Sequence, residues 1–373
     1  MTEAMMAVPR SDHSATTPRT SRYLVAMSGG VDSSLAAALL VEQGHEVVGA
    51  TMKTFCYSET GSSGKTCCGL DGIFDARRVC EKLGVPHYVF DMEESFTAAV
   101  IDDFVSEYAV GRTPNPCVRC NSNTKIPDLL RRARMLGCER IATGHYARGV
   151  AGAEGPEVHR AADGAKDQTY FLWGVPSAVV PWLDFPLGGI TKPEVRSLAR
   201  SLGLATADKP ESQEICFVPT GDYASFLEQR LGADHPSLAA GNLVTADGEV
   251  VGRHTGYARY TVGQRKGLGG GRGQALYVLG VRASSGEVVV GDREALASTE
   301  VALDHLNWLS QPSPGASVGL QIRHRAPRVA GTITDLRDGR CVVRLNEAVT
   351  AATPGQSGVV YAGERLLGGG TIV

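Results

Sequence analysis

The sequence predicts an α/β protein: an N-terminal doubly wound parallel sheet, a small central β-rich domain and a C-terminal β-barrel. Three observations carry that expectation. Short apolar runs alternate with helical stretches from Tyr23 to about Thr143, as strands joined by crossover helices do. From Gly241 onward Val, Thr and Gly alternate between turn signals at Asp247-Gly248, Ser285-Gly286 and Asp338-Gly339, the pattern of short strands in sandwiches or barrels. A length of 373 residues suits two or three domains. The expected organisation is a disordered tail over 1–21, a nucleotide-binding α/β domain over 22–218, a central β-rich domain over 219–297 and a barrel over 298–373.

The elements follow in order. Tyr23–Met27 reads as a strand, and Leu35–Glu42 as a helix closed by Gly44. His45–Met52 is a second strand, followed by a long Gly/Ser/Cys loop to about Gly69. Ile73–Leu83 is a helix ending at Gly84, Val85–Phe90 a strand and Glu93–Val110 one long helix. The prolines of TPNPCVRCN are expected to hold that segment irregular. Lys125–Leu136 is a further helix, Arg140–Thr143 a strand, and Gly221–Leu231 a last helix.

Composition excludes several classes. No apolar run approaches the roughly 20 residues of a membrane span. The first twenty residues, rich in Ser, Thr, Pro and Arg, lack the apolar core of a secretory signal. Nine cysteines spread over a long chain do not read as a disulfide scaffold, so a reduced, cytoplasmic protein is expected. Cys80, Cys138 and Cys341 fall in helix or strand patterns and read as core fillers.

Between the first strand and helix lies SGGVDSS, Ser28 to Ser34. Two glycines let the backbone turn and aim N–H groups outward. The hydroxyls of Ser28, Ser33 and Ser34 add donors, and the helix N-terminus adds positive potential. This suits a pyrophosphate, without the GK[ST] of a Walker loop or the GxGxxG of a dinucleotide fold. The segment resembles the SGGxD[ST] signature of the PP-loop ATP pyrophosphatases, whose domains are adenine nucleotide alpha hydrolase-like. That resemblance implies ATP and Mg2+, with Asp32 beside the metal and phosphates, and adenylation of a carbonyl oxygen. It leaves the attacking nucleophile open, nitrogen in amide-forming ligases or sulfur in thiolases.

Cys117 and Cys120 lie in TPNPCVRCN and Cys216 in ESQEICFVP. Arg112, Arg119 and Lys125 are expected to favour thiolates there, and two thiols on separate loops can form a transient disulfide. The residues leave two other readings open. The CVRC pair with Cys67 and Cys68 could hold structural zinc. Alternatively, Cys117, Cys120 and Cys216 could ligate a [4Fe-4S] cluster with one open iron.

Six motifs then occur in order: AMSGGVDSS (26–34), TPNPCVRCN (113–121), ATGHYA (142–147), KDQTYFLW (166–173), SQEICF (212–217) and TPGQS (353–357). Together they resemble the bacterial tRNA-specific 2-thiouridylase family from about Tyr23 to the C-terminus. The resemblance implies sulfur transfer to C2 of the wobble uridine in tRNAs for Lys, Glu and Gln, releasing AMP and pyrophosphate. It implies Cys120 as nucleophile and Cys216 as carrier of a persulfide. Ala26, Met27, Ser28, Gly29, Gly30, Val31, Asp32, Ser33, Met52 and Gly144 would bind ATP. Asn115, Pro116 and Cys117 would face the target base. His145, Lys166, Asp167, Gln168, Arg323, His324 and Gln356 would contact tRNA. The implied partners are tRNA and a cysteine desulfurase or sulfur-relay protein, with the enzyme a monomer and no membrane involved. One departure stands out: many family members carry Asp where this chain has Cys117.

A formal net charge of -3 argues against a uniformly basic nucleic-acid binder. The charge is segregated, however. Val251–Arg282 and His305–Thr334 carry Arg and Lys but no Asp or Glu, and Tyr108–Cys138 holds six basic residues against Asp128 alone. Phosphate binding depends on such local fields.

Overall fold

The structure, a computed structural model, describes residues 20–54, 70–211, 215–218, 221–268 and 275–373. The expected N-terminal tail and residues Cys56, Cys67 and Cys68 lie outside them.

The first layer is a five-stranded parallel sheet. β1 (Arg22–Ala26), β2 (Glu46–Lys53), β3 (His87–Asp91), β4 (Arg140–Ala142) and β7 (Leu183–Asp184) line up in the order β3-β2-β1-β4-β7. Every neighbouring pair is parallel. Burial on both faces explains the near-continuous apolar runs: Leu24, Val25, Val47, Val48 and Ala50 are all buried. α1 (Val31–Glu42) and α2 (Leu70–Leu83) follow the first two strands. Gly44 and Gly84 take positive φ just past their ends, as their positions in the sequence suggest.

Two helical expectations need correction. The stretch Glu93–Val110 is not one regular helix. α3 (Glu93–Phe96) and α4 (Asp102–Ala109) flank a wider π turn over Thr97–Ile101. TPNPCVRCN is irregular, as expected, only as far as Asn115. Pro116 is the first residue of α5 (Pro116–Arg119), where a missing N–H costs nothing, and the Asn115 side chain caps it by accepting from Val118 N at 3.3 Å. The second of the two prolines therefore starts a helix. A second π turn, Cys120–Lys125, leads into α6 (Ile126–Met135).

After β4 comes a hairpin the sequence pattern did not disclose, β5 (Ala147–Gly152) with β6 (Gly155–Arg160). α7 (Lys192–Ser201), opened by a Thr191/Glu194 capping box, and α8 (Tyr223–Leu231) complete the helices.

The central sheet runs β10-β11-β8-β9, from β8 (Gly241–Val244), β9 (Val250–His254), β10 (Tyr277–Arg282) and β11 (Glu287–Gly291). β12 (Ala297–Trp308), β13 (Ser317–Gln321), β14 (Val329–Arg337), β15 (Arg340–Thr350), β16 (Ser357–Ala362) and β17 (Arg365–Ile372) form the last sheet. Its order is β12-β15-β14-β13-β16-β17, and β12 pairs again with β17, which closes a six-stranded barrel. β6 joins the edge of β17 at Arg365, so the hairpin of the first domain extends the last one.

The central domain and the barrel both grip residues 109–115 of the first domain. The Tyr257 hydroxyl donates to the Ala109 carbonyl at 2.7 Å. Pro354 O accepts from Thr113 N at 2.9 Å, and the Gln356 amide donates to the Thr113 and Pro114 carbonyls at 3.0 Å each. Gly355 has φ +91°, and a Cβ there would lie 2.8 Å from the Thr113 backbone. Gly363 also has positive φ, but a Cβ there would meet nothing. Gly355→Ala should therefore cost roughly 2–4 kcal/mol, strain plus clash, against about 1 kcal/mol for Gly363→Ala. Thermal unfolding of the two variants side by side checks this, and equal losses would contradict it.

Candidate active site

β1 ends at Ala26 and α1 starts at Val31, which sets Met27–Gly30 at the carboxyl end of the sheet's middle strand, where open α/β sheets bind ligands. Gly29, at φ +70°, has no room for a Cβ against the Gly72 carbonyl of α2. Gly144 lies equally close on the other side, with Ser33 N 2.7 Å from where its Cβ would be. Gly30 caps α1, Val31 is its first residue, and Met27 and Met52 are buried at the ends of β1 and β2. Ser28 and Ser33 hydroxyls are 3.1 Å apart at the mouth of the loop. Ser34 is not the ligand donor its position suggested: it is fully buried and donates to the Gly30 carbonyl at 2.8 Å.

Asp32 is the centre of a charge network the sequence did not disclose. Lys192 Nζ donates to its two oxygens at 2.7 and 2.8 Å, and the Tyr146 hydroxyl adds a third bond at 2.8 Å. Burial and the Asp32 charge push the Tyr146 phenol well above its usual range, so it remains a donor. Lys192 also meets Glu211 at 2.9 Å, and Lys166 meets Glu211 at 2.7 Å. Burial raises the Glu211 carboxyl, but the bonds and charges of Lys166 and Lys192 outweigh it and hold it at about 2. Lys209 Nζ donates to the Gly29 carbonyl at 3.0 Å and to Asp75 at 2.6 Å. Thr191-Lys-Pro-Glu reads as a helix start, yet nothing local in the sequence announces Lys192's distant partner. The donors at the loop, carboxylate and hydroxyl oxygens, are of the kind Mg2+ takes alongside phosphates.

The cysteine segment borders an aromatic cluster separate from the two that flank the parallel sheet. Cys120 and Cys216 both pack against the cluster containing Phe96, Phe104, Phe217 and Phe226. Cys117 is exposed. The protein packed around it, with Cys120 beside it, pushes its thiol up to about 11, against a smaller opposite pull from Lys125. Water at the exposed sulfur weakens the push but does not reverse its sign. The expected thiolate-favouring arginines are engaged elsewhere: Arg112 pairs with Glu107 at 2.9 Å and Arg119 with Asp103 at 3.2 Å. Among the described residues no three His, Cys, Asp or Glu side chains converge as a metal-ligand set, so Cys117, Cys120 and Cys216 do not form a cluster cradle in this conformation. Cys80, Cys138 and Cys341 are buried. Next to the segment is a cavity of about 150 Å³ lined by Asn115, Val118, Arg119, Trp173, His305 and Gly355.

The residues expected at the tRNA converge along the seam between the first domain and the barrel. The His324 ring bonds the Asp167 carbonyl at 3.2 Å, Gln168 accepts from Tyr146 N at 2.9 Å, and Arg323 donates to the Ala351 carbonyl at 2.6 Å. Gln356 holds the TPNP backbone, and Lys166 is tied to Glu211. His145 bonds the Thr143 hydroxyl at 2.8 Å, and its depth in the protein, with the Lys125 charge, lowers its pKa to about 3. Even a fraction of that shift leaves it neutral at pH 7. Asp167 departs from the expectation: its buried carboxylate accepts from Arg160, Ala161 N and Thr169, and so has no face left for a ligand.

Family models match along almost the whole chain: a tRNA methyl transferase HUP domain over residues 21–220, a tRNA methyl transferase PRC-barrel domain over 224–292 and an aminomethyltransferase beta-barrel domain over 298–372. Among curated proteins, the tRNA-specific 2-thiouridylase MnmA of Geotalea uraniireducens is 50% identical, covering 94% of each chain. That of Rhodospirillum centenum is 48% identical over 95% of this chain and 92% of its own, and that of Rickettsia felis 44% over 94% and 96%. A 4-thiouridine synthetase solved in an RNA complex with bound ATP matches 57% of this chain and 51% of its own at 14% identity and a TM-score of 0.35, a likeness too slight to argue from. With half its residues identical across nearly its full length to proteins of that name, the chain belongs to the tRNA-specific 2-thiouridylase family.

Proposed function

We propose that this protein is a tRNA-uridine 2-sulfurtransferase. It uses ATP to activate the C2 oxygen of the wobble uridine in tRNAs for Lys, Glu and Gln and replaces that oxygen with sulfur. One observation supports the reading above the others. The segment leading to Cys216 touches the phosphate loop through Lys209 and reaches Asp32 through Glu211 and Lys192, while Cys216 itself packs on the same cluster as Cys120. The methyl transferase wording of the domain descriptions fits the chemistry less well, since methyl transfer from a sulfonium donor needs no pyrophosphate cradle.

The chemistry follows from the residue types. A uracil C2 carbonyl is a poor electrophile and its oxygen a poor leaving group. ATP transfers AMP to that oxygen and releases pyrophosphate. The uridine has to leave its stack for this to happen; the cavity lined by Asn115 would receive it, with Pro116 and Cys117 next in the chain. The terminal sulfur of a Cys216 persulfide then attacks C2, and AMP departs with the oxygen. Cys120, as thiolate, attacks Sγ of Cys216 and expels the thiocarbonyl sulfur. The products are 2-thiouridine and a Cys120–Cys216 disulfide, which an external dithiol reduces before the next turnover. A cysteine desulfurase or relay protein supplies the persulfide. Asp32, with the Ser28 and Ser33 hydroxyls nearby, would hold Mg2+, which would supply charge neutralisation at the phosphates. Lys166, Gln168, Arg323, His324 and Gln356, with neutral His145, contact the tRNA. A soluble cytoplasmic enzyme, monomeric in solution, suits this chemistry, and no described helix is long and apolar enough to cross a membrane.

Incubation with tRNA, ATP, Mg2+, a cysteine desulfurase and cysteine, followed by nuclease digestion and mass analysis, should reveal a thiolated uridine. AMP formation with no sulfur gained would point instead to an amide-forming ligase. Cys120→Ser and Cys216→Ser should each lower thiolation at least roughly 10³-fold, the scale of losing a covalent nucleophile, while ATP–pyrophosphate exchange in the presence of tRNA persists. Cys117→Asp, restoring the residue many family members carry, should keep thiolation within about tenfold; a three-cysteine iron–sulfur mechanism predicts its loss. Binding of tRNA should weaken roughly 10³-fold between 50 and 200 mM salt, as about six phosphate contacts require. Filter binding across that range checks it, and a flat response would remove the electrostatic reading.

A further inference from the structure

Lys192 has no place among the loop and cysteine motifs, yet its ammonium group is the closest partner of Asp32. Its residue is 7% exposed. Its Nζ touches both Asp32 oxygens and lies 2.9 Å from Glu211, and it stands 5.6 Å from the centre of the Tyr146 ring. With the Tyr146 hydroxyl on the same carboxylate, Asp32 is covered by three donor contacts. An ammonium group facing both carboxylate oxygens opposes a divalent cation at the same group, because like charges at such separations repel.

We propose that Lys192 is the exchangeable counter-ion of the nucleotide site: it neutralises Asp32 while the loop is empty and passes to the ATP phosphates when a divalent cation takes Asp32. The proposal rests on the reading of Ser28–Ser34 as an ATP loop. Three features make the exchange a local one. A buried ammonium cannot simply retreat into water, so on leaving Asp32 it needs another anion. Glu211 already holds it from one side, and a pyrophosphate in the loop adjoining Asp32 provides the rest. The flexible four-carbon stem allows the short movement without disturbing α7, whose first turn is fixed by the Thr191/Glu194 capping box. On the opposite side of the loop, Lys209 is bound to the Gly29 carbonyl and Asp75, so a second ammonium waits in the same paired state. The loop is thus pre-charged, with each lysine held by a carboxylate until phosphate competes for it.

Two binding measurements on the intact protein carry opposite signs for Lys192→Met. Without nucleotide, Mn2+ titration followed by electron paramagnetic resonance should show the variant binding the ion about tenfold or more tighter than wild type, because Asp32 is uncovered. Adding Asp32→Asn to the variant should abolish that gain. In EDTA and without tRNA, so that no adenylation can occur, the ATP analogue AMPPNP should bind the variant about tenfold or more weaker, because the phosphates have lost a cation. Lys192→Arg should retain metal exclusion. Lys192→Gln carries the same expectations as the Met variant and replaces it if near-UV circular dichroism shows that Lys192→Met does not fold. Unchanged Mn2+ affinity, or unchanged metal-free AMPPNP affinity, in a folded variant overturns the exchange while leaving the ATP reading intact. A wild-type chain that binds no AMPPNP even with Mg2+ overturns both.

Discussion

The arrangement depends on one docking contact: the turn Pro354-Gly355-Gln356 of the barrel against the backbone of Thr113 and Pro114. The Gln356 amide satisfies two carbonyls that proline-rich backbone leaves without helical partners, and Gly355 permits an approach that any side chain would block. From the other side Tyr257 secures Ala109, and Val281 fills the space beside Gly111, where a Cβ would lie only 2.6 Å from it. The stretch entering α5 is therefore fixed from two neighbouring units before Asn115 caps the helix. Where Cys117 and Cys120 point is set by residues about 150 and 240 positions later in the chain, which makes the barrel part of the active site's frame rather than an appendage.

The same economy governs the charges. Lysines and carboxylates around the phosphate loop are paired in the absence of ligand, and the arginines flanking the cysteines are paired too. A thiol that is not held as thiolate is safer in a resting enzyme, since thiolates are the forms that oxidise and exchange. The charged groups around the loop and the cysteines are thus engaged with one another inside the fold.

Much of this was legible in the sequence, for identifiable reasons. The parallel sheet showed through because strands buried on both faces read as apolar runs, and the glycines closing α1 and α2 marked helix ends directly. The turn between β1 and α1 showed through because its glycines and serines are consecutive in the chain. The misreadings share another origin. The stretch from Pro116 looked irregular because proline was weighed as a helix breaker when its place at the first helical position makes it a starter. The π turns over Thr97–Ile101 and Cys120–Lys125 leave no periodicity signal, since one inserted residue shifts a helical pattern without erasing it. The hairpin β5–β6 was hidden because its pairing partner, β17, lies some 200 residues away. Tyr146, Lys192, Lys209 and Glu211 were missed because each acts through a partner distant in the chain, and the burial of Asp167 could not be foreseen from KDQ alone.

Fold and charge come together at the seam. Arg259, Arg282 and Arg328 each face a carboxylate, Glu228, Glu287 and Glu364, and so add little to an attractive field. Arg253, Arg265, Lys266, Arg323 and Arg325 are exposed. Gly263, two residues before Arg265, has Arg323 of the barrel within 3.8 Å of where its Cβ would be. The Thr113 and Thr261 hydroxyls, 3.4 Å apart, tie the same central-domain loop to the cysteine segment. Basic runs from two domains thus adjoin at one place, and that place borders α5. A net charge of -3 is compatible with a polyanionic partner because the neutralising acids are distributed elsewhere. Folding, rather than composition, brings these basic runs together beside α5.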